Sequence, residues 1–244
     1  MTVGVERNSE ESWLPPWVIR EHQARYQFAS TFVLGKEVVD CACGSGESSY
    51  IFSKAGAERV IGIDADLETL NSAILTYRGT CLSFATGSGT DIPLNDASAD
   101  VFICLESIEH VDADSTFVTE IARVLRPGGM LILSTPNRNV TNPGSSLDRA
   151  PWNKYHVREY DEQELDLLTC SEFEIVEKFG QNPVPAIFLR FSKLLSRIFG
   201  TLFAVRFNQL YKCRWFLIDG SKLHTVQKSK RQMEYFVWVL RRCG

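Results

Sequence analysis

None of the seven cysteines stands in a Cys-x-x-Cys pair, which removes the usual spacing of a zinc knuckle or a dithiol redox centre. Cys41, Cys43, Cys81, Cys104 and Cys170 instead fall in or beside apolar runs, where a free thiol behaves as a small buried hydrophobe. The opening stretch MTVGVERNSEESW has no apolar segment behind a basic start, so a secretory leader is not expected and the cytosol is the expected compartment. No run reaches the roughly 18–20 uninterrupted apolar residues of a spanning helix. Even the apolar stretch from Ala186 to Tyr211 is broken by Arg190, Lys193, Arg197 and Arg206. Internal repeats and low-complexity tracts are missing too, and no G-x-S-x-G segment offers a nucleophile elbow.

Net charge is also small, −4, but it is unevenly divided. Residues 181–244 hold twelve lysines and arginines against Asp219 and Glu234, a surplus of +10, which leaves −14 on residues 1–180. A basic C-terminal part beside an acidic core predicts an anionic ligand or surface near that end.

What is present is a chain of 244 residues with 44% hydrophobic content, enough for one large α/β domain with elaborations. PPWVIREHQARYQFASTFV spaces Trp17, His22, Arg25, Tyr26 and Phe28 as one or two helices, an N-terminal cap over residues 1–35. From KEVVDCACGSG onward, short apolar runs alternate with amphipathic stretches: EVVDCA, a helix from about Ser48, RVIGID, a helix from about Leu67, LSFATGS, DVFICLE, a helix near 114–125, and GMLILSTP. That alternation predicts a Rossmann-like, doubly wound, mostly parallel sheet over residues 36–180. EFEIVEKFG supplies a sixth strand and EYFVWVLRR, in residues 232–244, a seventh. Residues 181–231 between them are too long for a plain turn and predict a basic, apolar helical insert with a surface helix near Ile187–Phe203.

Two segments carry chemistry. In VVDCACGSGESS a strand ends at Asp40, and Gly44 and Gly46 then let the backbone turn tightly and approach a ligand closely ahead of a helix. About twenty residues on, RVIGID ends a second strand in Asp64, where an acid meets ribose hydroxyls. The second segment, CLESIEHV, places Glu106, Glu109 and His110 on one side of a helical turn behind the fourth strand. They are either acids favoured by a helix start or ligands and bases aimed at a substrate.

The ordered blocks VVDCACGSG, GID, DIPL and LRPGG resemble the class I S-adenosylmethionine-dependent methyltransferases, over about residues 36–180. The resemblance implies that Asp40, Ala42, Gly44 and Gly46 line the methionine part of the cofactor, with Ala42 where many members carry glycine. It implies that Asp64, with Ala65, holds the ribose, that Asp91 and Ile92 border the adenine, and that Leu105 lies beneath the cofactor. Arg25 and Tyr26 are expected over it. The spacing in ESIEH resembles the metal-binding motif of ubiquinone-pathway O-methyltransferases and of small-RNA 3′-terminal 2′-O-methyltransferases. His156 in KYHVREY stands where the latter have a further histidine. The implied ligands of Mg²⁺ are then Glu106, Glu109, His110 and His156, and the metal-free alternative makes His110 a general base with Glu109 or Glu106 orienting it. The whole run also resembles bacterial methyltransferases of polysaccharide and natural-product gene clusters.

Three readings follow. The first is O-methylation of a hydroxyl on a sugar, glycan or related small molecule, lipid-linked acceptors included, with peripheral membrane contact through the basic insert. The second is an RNA 2′-O-methyltransferase, whose phosphate contacts would make binding salt-dependent. The third is a non-catalytic S-adenosylmethionine-binding module.

Overall fold

A computed structural model describes residues 16–200, 205, 222–226 and 232–244. Its centre is one sheet built from β1 (Glu37–Cys41), β2 (Arg59–Asp64), β3 (Leu82–Thr86), β4 (Ala99–Leu105), β5 (Leu125–Pro136), β6 (Phe173–Val184), β7 (His224–Thr225) and β8 (Gln232–Arg242). The order across the sheet is β3-β2-β1-β4-β5-β8-β6-β7. Strands β1 to β5 pair in parallel, whereas β8 runs antiparallel to both β5 and β6. This is the α/β Rossmann-like architecture expected, with one strand more than the seven read from sequence. The addition, β7, pairs only Thr225 with Phe179 and His224 with Gly180. Two residues are too few to show an alternating pattern.

Alternate residues of each central strand enter opposite cores. Val39, Phe102, Leu131 and Trp238 join one apolar cluster, and Val38, Val101, Ile132 and Val239 join the other. Both sheet faces are therefore covered, which is why these strands read as nearly continuous apolar runs. The helices are α1 (Pro16–Ser30), α2 (Glu47–Lys54), α3 (Leu67–Thr76), α4 (Asp114–Val124), α5 (Arg138–Thr141), α6 (Glu162–Thr169) and α7 (Ala186–Phe199). Local chemistry starts two of them. Asp66 caps α3 by accepting from the Glu68 and Thr69 amides, and Asp161 and Glu164 form a reciprocal capping box on α6.

β6 continues through residue 181 to Val184, and α7 begins two residues later. The surface helix expected near Ile187–Phe203 is therefore described as far as Phe199, and residues 201–204 lie outside the described residues. All cysteines among the described residues are free, with Cys41, Cys43 and Cys104 buried. Among the described residues, no helix is long and apolar enough to cross a membrane. The parallel order reverses between β1 and β4, so a crevice opens beyond their carboxyl ends, where doubly wound sheets take their ligands.

Candidate active site

The turn leaving β1 takes three left-handed steps, at Ala42 (φ 58°), Gly44 (φ 51°) and Gly46 (φ 84°). The two glycines serve different purposes. A Cβ on Gly46 would come within 2.9 Å of Ala73 Cβ and of Phe84 Cζ, so its bare backbone lets the start of α2 pack against α3 and β3. A Cβ on Gly44 would meet nothing within 4 Å. Its backbone therefore borders open space, as a cradle for a ligand requires. Ala42, where the resemblance led one to expect glycine, keeps its methyl exposed but holds a conformation that costs an L-residue about 1–2 kcal/mol.

Asp64 latches this turn. Its Oδ2 accepts a 2.8 Å hydrogen bond from the Gly44 amide, and its Oδ1 accepts one of 2.9 Å from the Asp66 amide. Each oxygen keeps acceptor capacity for a further donor, such as a ribose hydroxyl. Asp40, buried beneath the turn, accepts from Ser48 Oγ at 2.7 Å and from Ser49 Oγ. Burial still pushes its carboxyl up to about 6, because two hydroxyls do not replace bulk water.

The other expected cofactor contacts are placed as follows. Ala65, just after β2, and Asp91, in the turn after β3, are exposed, and Leu105 is half-buried against the core. Ile92 points its side chain into the core, and its amide donates to Glu120 Oε2 at 3.2 Å. Tyr26 is half-buried, its ring edge-on to His22. Arg25 is only 1% exposed. Its guanidinium donates to Gln181 Oε1 and lies 4.8 Å from the centre of the Tyr235 ring. It is thus an interior cation tying α1 to β6 and β8, with the charge of Glu106 among those that favour its ionised form.

The ESIEH segment departs from the helical turn expected of it. Glu106 adopts φ 53°, and only Ile108–His110 form a short 3-10 turn. Glu106 instead folds back on β5: its amide donates to the Ser134 carbonyl at 3.0 Å, and its Oε1 accepts from Ser134 Oγ at 2.7 Å. The structure consequently gathers three of the four expected ligands. One ligand atom from each of Glu109, His110 and His156 lies within 4.8 Å of the others. Glu106 remains an electrostatic neighbour of Glu109 outside this group.

Each of the three is held by its neighbours. Glu109 is 1% exposed. Its Oε2 accepts from Thr135 Oγ1 at 2.9 Å, while its buried Oε1 has no hydrogen-bond partner. Burial, and next the charge of Glu106, raise its carboxyl well above the ordinary range. His110 Nδ1 is 2.9 Å from the Tyr155 carbonyl, which can only accept, so Nδ1 carries the proton and Nε2 the lone pair. His156 Nδ1 donates to Glu159 Oε1 at 2.6 Å, and its Nε2 receives the Asn153 amide at 2.9 Å. Both contacts fix the same tautomer. A buried carboxyl oxygen without a donor lies beside two imidazoles, and a divalent cation there would take the place of the Asn153 amide on His156 Nε2.

Glu159, Thr135 and Ser134 were not singled out from the sequence. Glu159 is 2% exposed and also accepts from the Thr141 hydroxyl and the Asn142 amide. A carboxylate three residues beyond a histidine was the available signal, but it carries no information about tertiary position.

The fold is the Rossmann-like architecture of class I methyltransferases. Residues 39–133 match the family described as methyltransferase domain. A Mycolicibacterium smegmatis protein named as a probable S-adenosylmethionine-dependent methyltransferase is 36% identical over 162 residues, covering 66% of this chain and 61% of that protein. The chain thus spans about three fifths of that relative's length. The ubiquinone biosynthesis O-methyltransferase of Psychrobacter arcticus is 29% identical over 229 residues, 91% of this chain and 81% of that enzyme. Among solved structures, an S-adenosylmethionine-dependent methyltransferase from Mesorhizobium loti superposes with a TM-score of 0.61 at 16% identity, covering 91% of this chain and 98% of that one. The chain accordingly carries a domain of the class I S-adenosylmethionine-dependent methyltransferase superfamily.

Proposed function

We propose that the protein is an S-adenosylmethionine-dependent O-methyltransferase whose acceptor is a hydroxyl of a sugar, glycan or related small molecule, and that a divalent cation assists it. The cofactor assignment rests on Gly44, whose backbone faces open space, and on Asp64 beside it. When bound, S-adenosylmethionine supplies an electrophilic methyl group, so the chain's own task is to align an acceptor oxygen and dispose of its proton.

The observation that carries the oxygen acceptor is the Glu109 carboxylate, which has a buried, donorless Oε1 and clusters with His110 and His156. These three residues would hold the cation, with Thr135, Tyr155 and Glu159 fixing their orientation. A cation held there supplies Lewis-acid polarisation of a hydroxyl. Two imidazoles and one carboxylate suit a transition-type divalent ion such as Mn²⁺, Fe²⁺ or Zn²⁺ better than Mg²⁺, which prefers oxygen ligands. The magnesium expected from a four-residue set is replaced in this reading because its fourth member, Glu106, is turned onto Ser134. Support for the oxygen acceptor also comes from the O-methyltransferase named among the relatives.

The test is methyl transfer from labelled S-adenosylmethionine to a panel of sugars and vicinal diols, before and after chelation. Chelation should abolish turnover and leave S-adenosylhomocysteine affinity unchanged, with Mn²⁺ restoring the rate. Activity that survives chelation but is lost in His110→Ala would discard the cation and leave His110 Nε2 as the general base.

A further inference from the structure

Helix α7 is amphipathic in an unusual direction. At 3.6 residues per turn, Leu189 and Ser192 lie on one side, and both are buried. Leu189 packs with Val140 and Val184, and the backbone of Gly144 approaches Ser196 so closely that a Cβ there would fall 2.9 Å from its Oγ. The inward face is therefore narrow and partly polar. The opposite face is apolar: Ile187 is 79% exposed, Leu194 50% and Ile198 60%. Phe191, also exposed, lies along the same line. One flank of this stripe carries Arg190, Lys193 and Arg197, all exposed, and the helix contains no acidic residue. Lys193 reaches inward to Asn139 Oδ1 at 2.9 Å, leaving Arg190 and Arg197 as the cations beside the stripe.

A helix that turns three large aliphatic side chains outward and borders them with arginines has the character of an element lying in a lipid interface. Residues 1–180 carry −14, so a general attraction to anions is not available from the rest of the molecule, and the net positive charge is confined to this end. The helix is too short to span a bilayer, 14 residues at about 1.5 Å each. We propose that α7 docks the protein on an anionic lipid surface, with Ile187, Leu194 and Ile198 entering the headgroup boundary and Arg190 and Arg197 meeting lipid phosphates. The helix sits on the 138–145 segment, whose Thr141 and Asn142 hold Glu159 and through it His156. Docking would bring the crevice to the lipid surface. This inference stands on the helix alone and does not depend on the cation.

The experiment is co-sedimentation of the full chain with vesicles of equal parts phosphatidylglycerol and phosphatidylcholine, and with phosphatidylcholine vesicles as control. The wild type should sediment with the anionic vesicles and not with the neutral ones. Arg190→Glu/Arg197→Glu and Ile187→Ser/Ile198→Ser should each reduce partitioning at least about tenfold, with circular dichroism and S-adenosylhomocysteine affinity unchanged. Failure of the wild type to sediment, or equal sedimentation of the variants, overturns the proposal. So does a dimer in sedimentation velocity that Ile187→Ser/Ile198→Ser dissociates without any vesicle binding, which would assign the stripe to a second copy of the chain.

Discussion

Glu159 Oε1 accepts the Nδ1 proton of His156 at 2.6 Å and, together with the Asn153 amide on Nε2, fixes the tautomer of an imidazole that clusters with Glu109 and His110. The carboxylate is itself held by Thr141 and Asn142 from α5 and the residue after it. Orientation of the imidazole thus depends on α5 and Asn142 as well as on Glu159 within the local HVREY sequence.

Glu159→Gln tests that dependence. A glutamine can still accept from Nδ1, but it loses the charge that raises the imidazole's basicity, so Mn²⁺ or Zn²⁺ affinity should fall by about 10–100-fold. S-adenosylhomocysteine affinity, which involves none of these groups, should not change. Calorimetric titration with each ligand separates the two, and an unchanged metal affinity would remove Glu159 from the account.

The glycine turn makes a paired prediction. Gly44→Ala adds a methyl into open space, so it should cost only the left-handed strain, about 1–2 kcal/mol of stability, while lowering cofactor affinity at least tenfold. Gly46→Ala drives a methyl to 2.9 Å from Ala73 and Phe84, so overpacking adds to the strain and about 2–5 kcal/mol should be lost. Denaturant melts and S-adenosylhomocysteine titration read both. Equal stability losses, or full cofactor affinity in Gly44→Ala, would contradict the separate roles.

Asp40 predicts a pH dependence. An unfolded aspartate releases its proton near its ordinary value of 3.8, and the folded one near about 6. Between those values the folded state binds more protons, so stability falls as pH rises, by about 3 kcal/mol in all. Asp40→Asn cannot titrate. The ligand-free variant should therefore gain on the wild type between pH 4 and pH 7, by roughly 6–12 °C in relative melting temperature for a chain of this size. A constant difference between the two melting temperatures across that range would show that Asp40 is not shifted.

Much of this architecture is legible in the sequence because it is written in local pattern. The runs EVVDC and RVIGID are strands since both sheet faces are buried, and α3 begins where Asp66 can accept from the amides ahead of it, whereas α6, capped by Asp161, was not among the helices expected. The acid ending β2 was equally readable, but its grip on the Gly44 amide was not, because it joins residues twenty apart. Glu106 misleads for a different reason. Its spacing to Glu109 and His110 suits a helix, and nothing in the letters announces a left-handed step that turns it to Ser134. Arg25 is a third case: the resemblance puts it over the cofactor, and only Gln181 and Tyr235, far along the chain, show it to be interior.

The central claim is that the β1 turn and Asp64 hold S-adenosylmethionine, and calorimetric titration of S-adenosylhomocysteine into wild type and Asp64→Ala tests it most directly. The wild type should bind, and the variant should lose on the order of 1.5–3 kcal/mol, the range for hydrogen bonds to a charged group, which corresponds to roughly 10–150-fold in affinity. Absence of binding by the wild type, or an affinity unchanged in Asp64→Ala, would contradict the account.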